Sequence, residues 1–418
     1  MAWVMYDWAD SAFACTIMAA VLPIFYKDVV SAGHPQASSY WAYTQSISML
    51  TVAVLAPVLG AIADQSSARV KFMRFFAYLG IAGTALLFTI TAGEFILCSF
   101  YYMMGAVGFY CANVFYDSLL SRVAGPEEMD LLSARGYAMG YLGGGLLLAV
   151  NMAMIMFPGA FFIPDPLLAT RITFLTVALW WFVFSIPVFR YVREDKTAEK
   201  ISLGTVSLGF GRLRATFREI RKYRELSKFL LAFWLYNDGI STIILMATIY
   251  GRDVGIGTPH LIGALLLTQF VAFPFSILFG RLASKIGSKN AIFTGIAVYA
   301  IILALAFFMR TALHFWLLAA MVGMVQGGTQ AISRSLYASM VPPDKSSEFF
   351  GFMGITSKFA AIFGPFIFGV ASQITGSSRF GIISLLLFFL VGGLILAKVD
   401  VQEGRRNARE WTGQAARN

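Results

Sequence analysis

The sequence predicts an all-α integral membrane protein with twelve spanning helices in two pseudo-symmetric six-helix bundles. Composition, the length of the apolar runs and an internal repeat predict it. Of 418 residues, 58% are hydrophobic and 13% charged, with a mean hydropathy of +0.72, against roughly 45–50% and 25% in a soluble domain. Most of the chain is therefore solvated by lipid.

A helical span needs about 20 apolar residues. Runs of that length are read at 4–26, 40–63, 72–92, 95–121, 136–157, 168–190, 228–250, 261–281, 290–309, 313–340, 349–373 and 379–398. Hydrocarbon leaves no exposed main-chain group satisfied, so such runs are helices, and the ten-residue alternation of barrel strands is missing. The polar stretches between them divide the chain into a first bundle (1–191), a basic linker (192–227), a second bundle (228–398) and a basic tail (399–418). Cys15, Cys98 and Cys111 all fall within spans without paired spacing, which suits packing rather than disulfides or metal. Asp7 and Asp10 sit where a signal peptide would be apolar, so the first span is expected to be retained.

The net charge of +10 reflects topology. One set of alternating loops and the tail carry 25 Lys and Arg, and the other loops carry five: Lys27, Arg171, Arg252, Arg310 and Arg379. The positive-inside rule then puts both termini in the cytoplasm. The linker stretch from Arg212 to Lys228, with Leu213, Phe217, Ile220 and Leu226 interleaved, reads as an amphipathic surface helix drawn to anionic lipid rather than a nucleic-acid site.

The halves repeat each other. Trp8-Ala9-Asp10-Ser11 precedes Met18-Ala19 as Tyr236-Asn237-Asp238-Gly239 precedes Met246-Ala247. Asp117-Ser118-Leu119 precedes Gly125-Pro126-Glu127 as Arg334-Ser335-Leu336 precedes Pro342-Pro343-Asp344, 217 residues on. Two matches in one order point to duplication.

Gly60 to Asp64 with Arg69 and Lys71, and Gly280 to Ser284 with Lys285, Gly287 and Lys289, resemble the two loop signatures of the major facilitator superfamily. Gln65, Ser67 and Ser284 depart from that pattern. Tyr6-Asp7-Trp8-Ala9-Asp10-Ser11-Ala12-Phe13, Gly140 to Gly145 and Leu235-Tyr236-Asn237-Asp238-Gly239 resemble a bacterial branch of the superfamily related to the yeast vacuolar amino-acid effluxer of autophagy. That resemblance covers nearly the whole chain. It implies the major facilitator fold, with helices 1, 4, 7 and 10 around a central cavity, and amino-acid efflux.

Ionisable groups inside spans are functional candidates by default. Asp10 and Asp238, roughly 9 to 15 Å deep at about 1.5 Å per residue, are candidates for protonation or for binding a substrate amine. Lys358 would keep one carboxylate ionised or meet a substrate carboxylate, and Tyr236, Asn237, Asn113 and Gln330 could line the path. Asp117 and Arg334 lie nearer the cytoplasmic mouth and form a candidate gate, although fixed ion pairs that only hold helices together remain open. A reciprocal exchange of that pair is expected to restore activity. Asp7 is expected to cap its helix at headgroup level. By resemblance, Asp64, Arg69, Lys71 and Gly60 form a conformational latch.

No Gly-x-Gly-Asp partner supports an intramembrane aspartyl protease, His34, His260 and His314 lack metal-ligand spacing, and no phosphate-binding loop is present. The reading is therefore a non-enzymatic, cofactor-free secondary transporter of the bacterial inner membrane. It is expected to act as a monomer on a small polar or zwitterionic solute, with protons as the candidate coupling ion and membrane lipid around it. A lipid or lysolipid flippase or scramblase is the alternative, and a transport-silent receptor the third. Cavity openings lined by Leu and Phe would favour lipid, and Asp, Asn and Gln a polar solute.

Overall fold

The computed structural model describes residues 1–31, 37–66, 68–125, 127–192 and 223–415. Most of the linker, including the expected surface helix before Tyr223, lies outside the described residues, as does His34. Among the described residues twelve long helices follow one another: α1 (Val4–Val30), α2 (Ala37–Ser66), α3 (Arg69–Thr89), α4 (Phe95–Val123), α5 (Met129–Met156), α6 (Pro166–Tyr191), α7 (Arg224–Asp253), α8 (Thr258–Ile286), α9 (Ser288–Phe307), α10 (Ala312–Met340), α11 (Ser346–Thr375) and α12 (Ser378–Ala397). A shorter α13 (Val401–Ala415) follows. Among the described residues, eleven helices are long and apolar enough to cross a membrane, and α11 contributes the apolar run Phe363–Thr375.

The helix ends follow local chemistry. Pro166 opens α6 behind Asp165, whose carboxylate accepts from the Leu168 amide at 2.8 Å and so satisfies one orphan donor of the first turn. Gly376 ends α11 in the left-handed region at φ 68°, and Gly287 joins α8 to α9 at φ 85°, where a side chain would be strained. Leu50, Phe100, Leu179 and Leu394 stand exposed around the girth, as a hydrocarbon solvent requires.

Successive helices run in opposite directions, so the starts of odd helices and the ends of even ones share one face of the bundle. That face carries both chain ends and the basic loops, and is called the basic end below. In the first bundle α1 packs on α5 and α6, and α4 on α2 and α3. In the second, α10 packs on α8 and α9, and α7 on α11 and α12. The bundles meet through α5 against α8 and α10, and through α11 against α2 and α4.

Two features depart from a plain bundle. The α1 helix widens into π-helical turns over Phe13–Val21 and Tyr26–Val30, a geometry frequent at functional sites. The α5 helix begins at Met129 rather than at 136 as the apolar run predicts, because its first turns at the basic end are polar.

Candidate functional site

Arg334 projects from α10 at the basic end and is buried. Its guanidinium meets Asp117 of α4 at 3.0 Å and Asp7 of α1 at 3.3 Å. It also donates to the Ser133 hydroxyl at 2.8 Å and the Ser133 carbonyl at 3.0 Å, both on α5. One cation of the second bundle therefore ties together three helices of the first. Rings surround the cation: the guanidinium carbon lies 4.4 Å from the centre of Tyr137, 4.9 Å from Trp3 and 5.5 Å from Tyr116, a cation–π arrangement about a buried guanidinium. Trp3 stacks on Tyr116 at 4.3 Å, and the Tyr116 hydroxyl donates to Asp7 at 2.7 Å.

The Asp117–Arg334 pairing agrees with the sequence expectation, but the pair is part of a larger cluster. Asp7 is not a headgroup cap: one helical turn beyond Trp3, it faces the bundle interface. Because position 334 lies beside Asp7 and within three aromatic faces, a carboxylate there would find no comparable partner. The reciprocal Asp117/Arg334 exchange is therefore expected to recover little.

Two further contacts join the bundles at this end. At the end of α2, Asp64 accepts from the Ser347 amide at 3.1 Å and the Glu348 amide at 2.9 Å. This caps α11, where the helix dipole favours negative charge. Arg69 lies 2.6 Å from the same carboxylate and donates to the Pro343 carbonyl at 2.9 Å. Gly60 makes the approach possible, since a Cβ there would sit 2.5 Å from the Ser347 carbonyl oxygen. Lys71 is exposed. In the related place of the other half, Gly280 of α8 lies against the start of α5, where its Cβ would meet the Ala134 Cβ at 2.6 Å. There the carboxylate is on α5: Asp130 accepts from the Ser288 hydroxyl at 2.6 Å and from the Ser335 hydroxyl.

The deep candidates form separate sets. Asp10 is buried in the first bundle and accepts from the Asn113 amide at 2.8 Å. Asp238, buried in the second, accepts from the Gly364 main-chain N–H of α11 at 3.0 and 3.1 Å, beside Pro365, and from Thr242 at 3.4 Å. Tyr236 bonds the Ser333 hydroxyl at 2.7 Å, while Asn237 is buried on the same turn. Gln330 accepts from the Tyr141 hydroxyl at 3.0 Å, linking α10 to α5. The side chain of Lys358 lies outside the described residues.

At the far end the bundles part. A cleft of about 570 Å³ separates α1, α5 and α6 from α7 and α8, lined by Ala19, Ile24, Leu148, Ile155, Ile244 and Leu265, with Asp28, Thr170 and Gln269 as its few polar groups. Neither Asp10 nor Asp238, the candidates for protonation or for binding a substrate amine, lines it. The apolar walls are the signal named above as favouring an amphiphile.

The family model described as "Vacuole effluxer Atg22 like" matches residues 1–409. The chain is 41% identical over 401 residues to the MFS-type transporter YxiO of Bacillus subtilis (strain 168), covering 95% of this chain and 94% of that protein. It is 26% identical over 432 residues to Autophagy-related protein 22 of Saccharomyces cerevisiae (strain ATCC 204508 / S288c), covering 89% and 80%. Its fold is similar to that of the human organic anion transporter MFSD10, with a TM-score of 0.75 at 13% identity over 94% of this chain and 98% of that one. It is also similar to the proton:xylose symporter XylE, with a TM-score of 0.72 at 13% identity over 95% and 93%.

Proposed function

Because the chain belongs to the Atg22-like vacuole effluxer family of major facilitator transporters, we propose that it is a secondary active, alternating-access carrier of a small zwitterionic solute with an apolar body. One observation carries this reading. A single cation, Arg334, draws α1, α4 and α5 onto α10 at the basic end, while the same bundles stand apart around an open cleft at the other. With the termini cytoplasmic by the positive-inside rule, this conformer faces outward, and inward opening requires the cluster and both neighbouring contacts to break.

The bundles 1–191 and 228–398 then rock as units, with no covalent step and no cofactor. The Arg334 cluster holds two carboxylates for one guanidinium, so it can take a proton and keep one full ion pair. Asp238 offers a second coupling point: protonation would weaken its hold on the Gly364 N–H and free α11 to bend at Pro365. The family resemblance supports amino-acid efflux. The apolar cleft lining keeps lysolipid as the second reading.

The test is flux and counterflow of a labelled amino-acid panel and lysophosphatidylcholine in proteoliposomes, with and without a pH gradient. Amino-acid flux that responds to the gradient is expected. Arg334→Ala is expected to reduce it roughly 100-fold or more, because it leaves Asp7 and Asp117 without their cation, and removing one partner of a buried pair costs about 3–5 kcal/mol. Lysolipid movement without amino-acid flux would replace the solute assignment, and full flux in Arg334→Ala would overturn the gate.

A further inference from the structure

Gln269 of α8 stands where the open cleft meets an inner apolar pocket of about 110 Å³ in the second bundle, and it lines both. Its Nε2 reaches the Cys15 sulfur of α1 at 3.5 Å, a weak contact across the bundle interface. Its Oε1 is buried and has no hydrogen-bond partner among the described residues. Leaving a buried carbonyl oxygen unmatched costs about 1–3 kcal/mol, so such an atom calls for an explanation. Gly145 of α5 opposes it, and a Cβ there would come within 3.2 Å of the Gln269 Cβ, so that glycine lets α5 pack closely against the stem of this side chain.

We propose that Gln269 is the specificity-determining residue of the solute site, its Oε1 accepting a hydrogen bond from an N–H or O–H donor on the transported molecule. This inference rests on the transporter reading above and adds the group that reads the polar end. The cleft takes the body of the solute and the inner pocket takes an apolar branch, within the 300–1,000 Å³ typical of small-molecule sites. A solute with one donor end and one apolar branch fits, whereas a sugar would leave its hydroxyls unmatched against Ile, Leu and Val. Asp10 and Asp238 then act in the conformational cycle rather than on the solute.

Cys15 supplies a readout independent of flux, because it lines the cleft while Cys98 and Cys111 are fully buried. Purified full-length protein in nanodiscs is treated with a methanethiosulfonate reagent alone or with each of the twenty amino acids, lysophosphatidylcholine or xylose, and Cys15 modification is followed by mass spectrometry. Cys15→Ser provides the labelling blank. Amino acids with apolar side chains are expected to slow modification and xylose to leave it unchanged. Gln269→Met, which keeps volume but removes the acceptor, should raise the half-protecting concentration roughly tenfold, the loss of one net hydrogen bond. Gln269→Ala should act in the same direction, and size-exclusion profiles report whether both variants fold.

Protection by no member of the panel would overturn the proposal, as would protection that Gln269→Met leaves unchanged or protection by lysophosphatidylcholine alone. Protection without flux in the unmodified protein would instead remove the transport reading and leave the site standing.

Discussion

The two glycine contacts that close the basic end share a backbone plan and differ in chemistry. Gly60 of α2 lies against the start of α11, and Gly280 of α8 lies against the start of α5, in matching places of the two halves. On the first side the carboxylate comes from α2, caps α11 through two main-chain N–H groups and holds a buried guanidinium. On the second, Ser284 stands where the first half has Asp64. The carboxylate is on α5 instead, as Asp130, and among the described residues it accepts from the hydroxyls of Ser288 and Ser335. Both halves make the close approach, with the carboxylate on opposite sides of it. One contact is a charged strut and the other a lighter hydroxyl clasp.

Asp64→Ala should break the comparison most severely. It removes the carboxylate 2.6 Å from Arg69 and uncaps the start of α11, and breaking a buried pair in this way costs about 3–5 kcal/mol against the closed conformer. The expected outcome is a population shift toward the open basic end, read by cysteine cross-linking between α2 and α11. Cross-linking as strong as in the unmodified protein would mean that the strut carries no such load.

The glycines give the next largest effect. Gly60→Ala drives a methyl into the Ser347 carbonyl, whereas Gly280→Ala meets another methyl, on Ala134. Overpacking costs typically 1–3 kcal/mol, and Gly60→Ala should lower the thermal midpoint more, because its methyl would meet three main-chain atoms within 3.0 Å, whereas at Gly280 only the Ala134 Cβ lies closer than 3.4 Å. Equal shifts would show that both interfaces have the same slack. The smallest effect belongs to Asp130→Asn, whose side-chain carbonyl still accepts from one serine. A loss of flux of no more than about tenfold is expected, since one neutral hydrogen bond contributes about 0.5–1.5 kcal/mol. A loss matching that of Asp64→Ala would show that Asp130 bears charge-dependent load.

How much of this could be read beforehand follows from which groups leave a trace in side-chain type. The spans were legible because lipid demands long apolar runs. Asp117 and Arg334 were legible as opposite charges at equivalent positions of a repeat, and Asp64 with Arg69 through the loop signature. Asp130 was not, because a charge beyond the apolar edge of a span reads as loop topology until the helix is seen to start at Met129. The partners of Asp64 and Asp238 are main-chain N–H groups, which every residue but proline carries, so no pattern could announce them. Asp7 was misplaced because depth along a helix can be counted from sequence, whereas the direction it faces depends on which neighbour packs there. Gln269 stayed hidden for a related reason: its orphan oxygen is a property of its surroundings.

The chain leading into α13, and α13 itself, are clamped to the second bundle, which has a practical use. Glu225 of α7 accepts from the Asp400 amide at 2.7 Å, and Lys289 of α9 binds the carbonyls of Ala397 and Val399 at 2.8 Å each. Arg405 reaches Ser339 of α10 at 3.2 Å. All these anchors belong to the second bundle. A fluorophore on α13 therefore rides with that bundle as a rigid handle, and paired with a dye at the start of α3 it forms a ruler across the moving joint. Energy transfer between the two would follow the rocking of single molecules in real time, whatever the cargo.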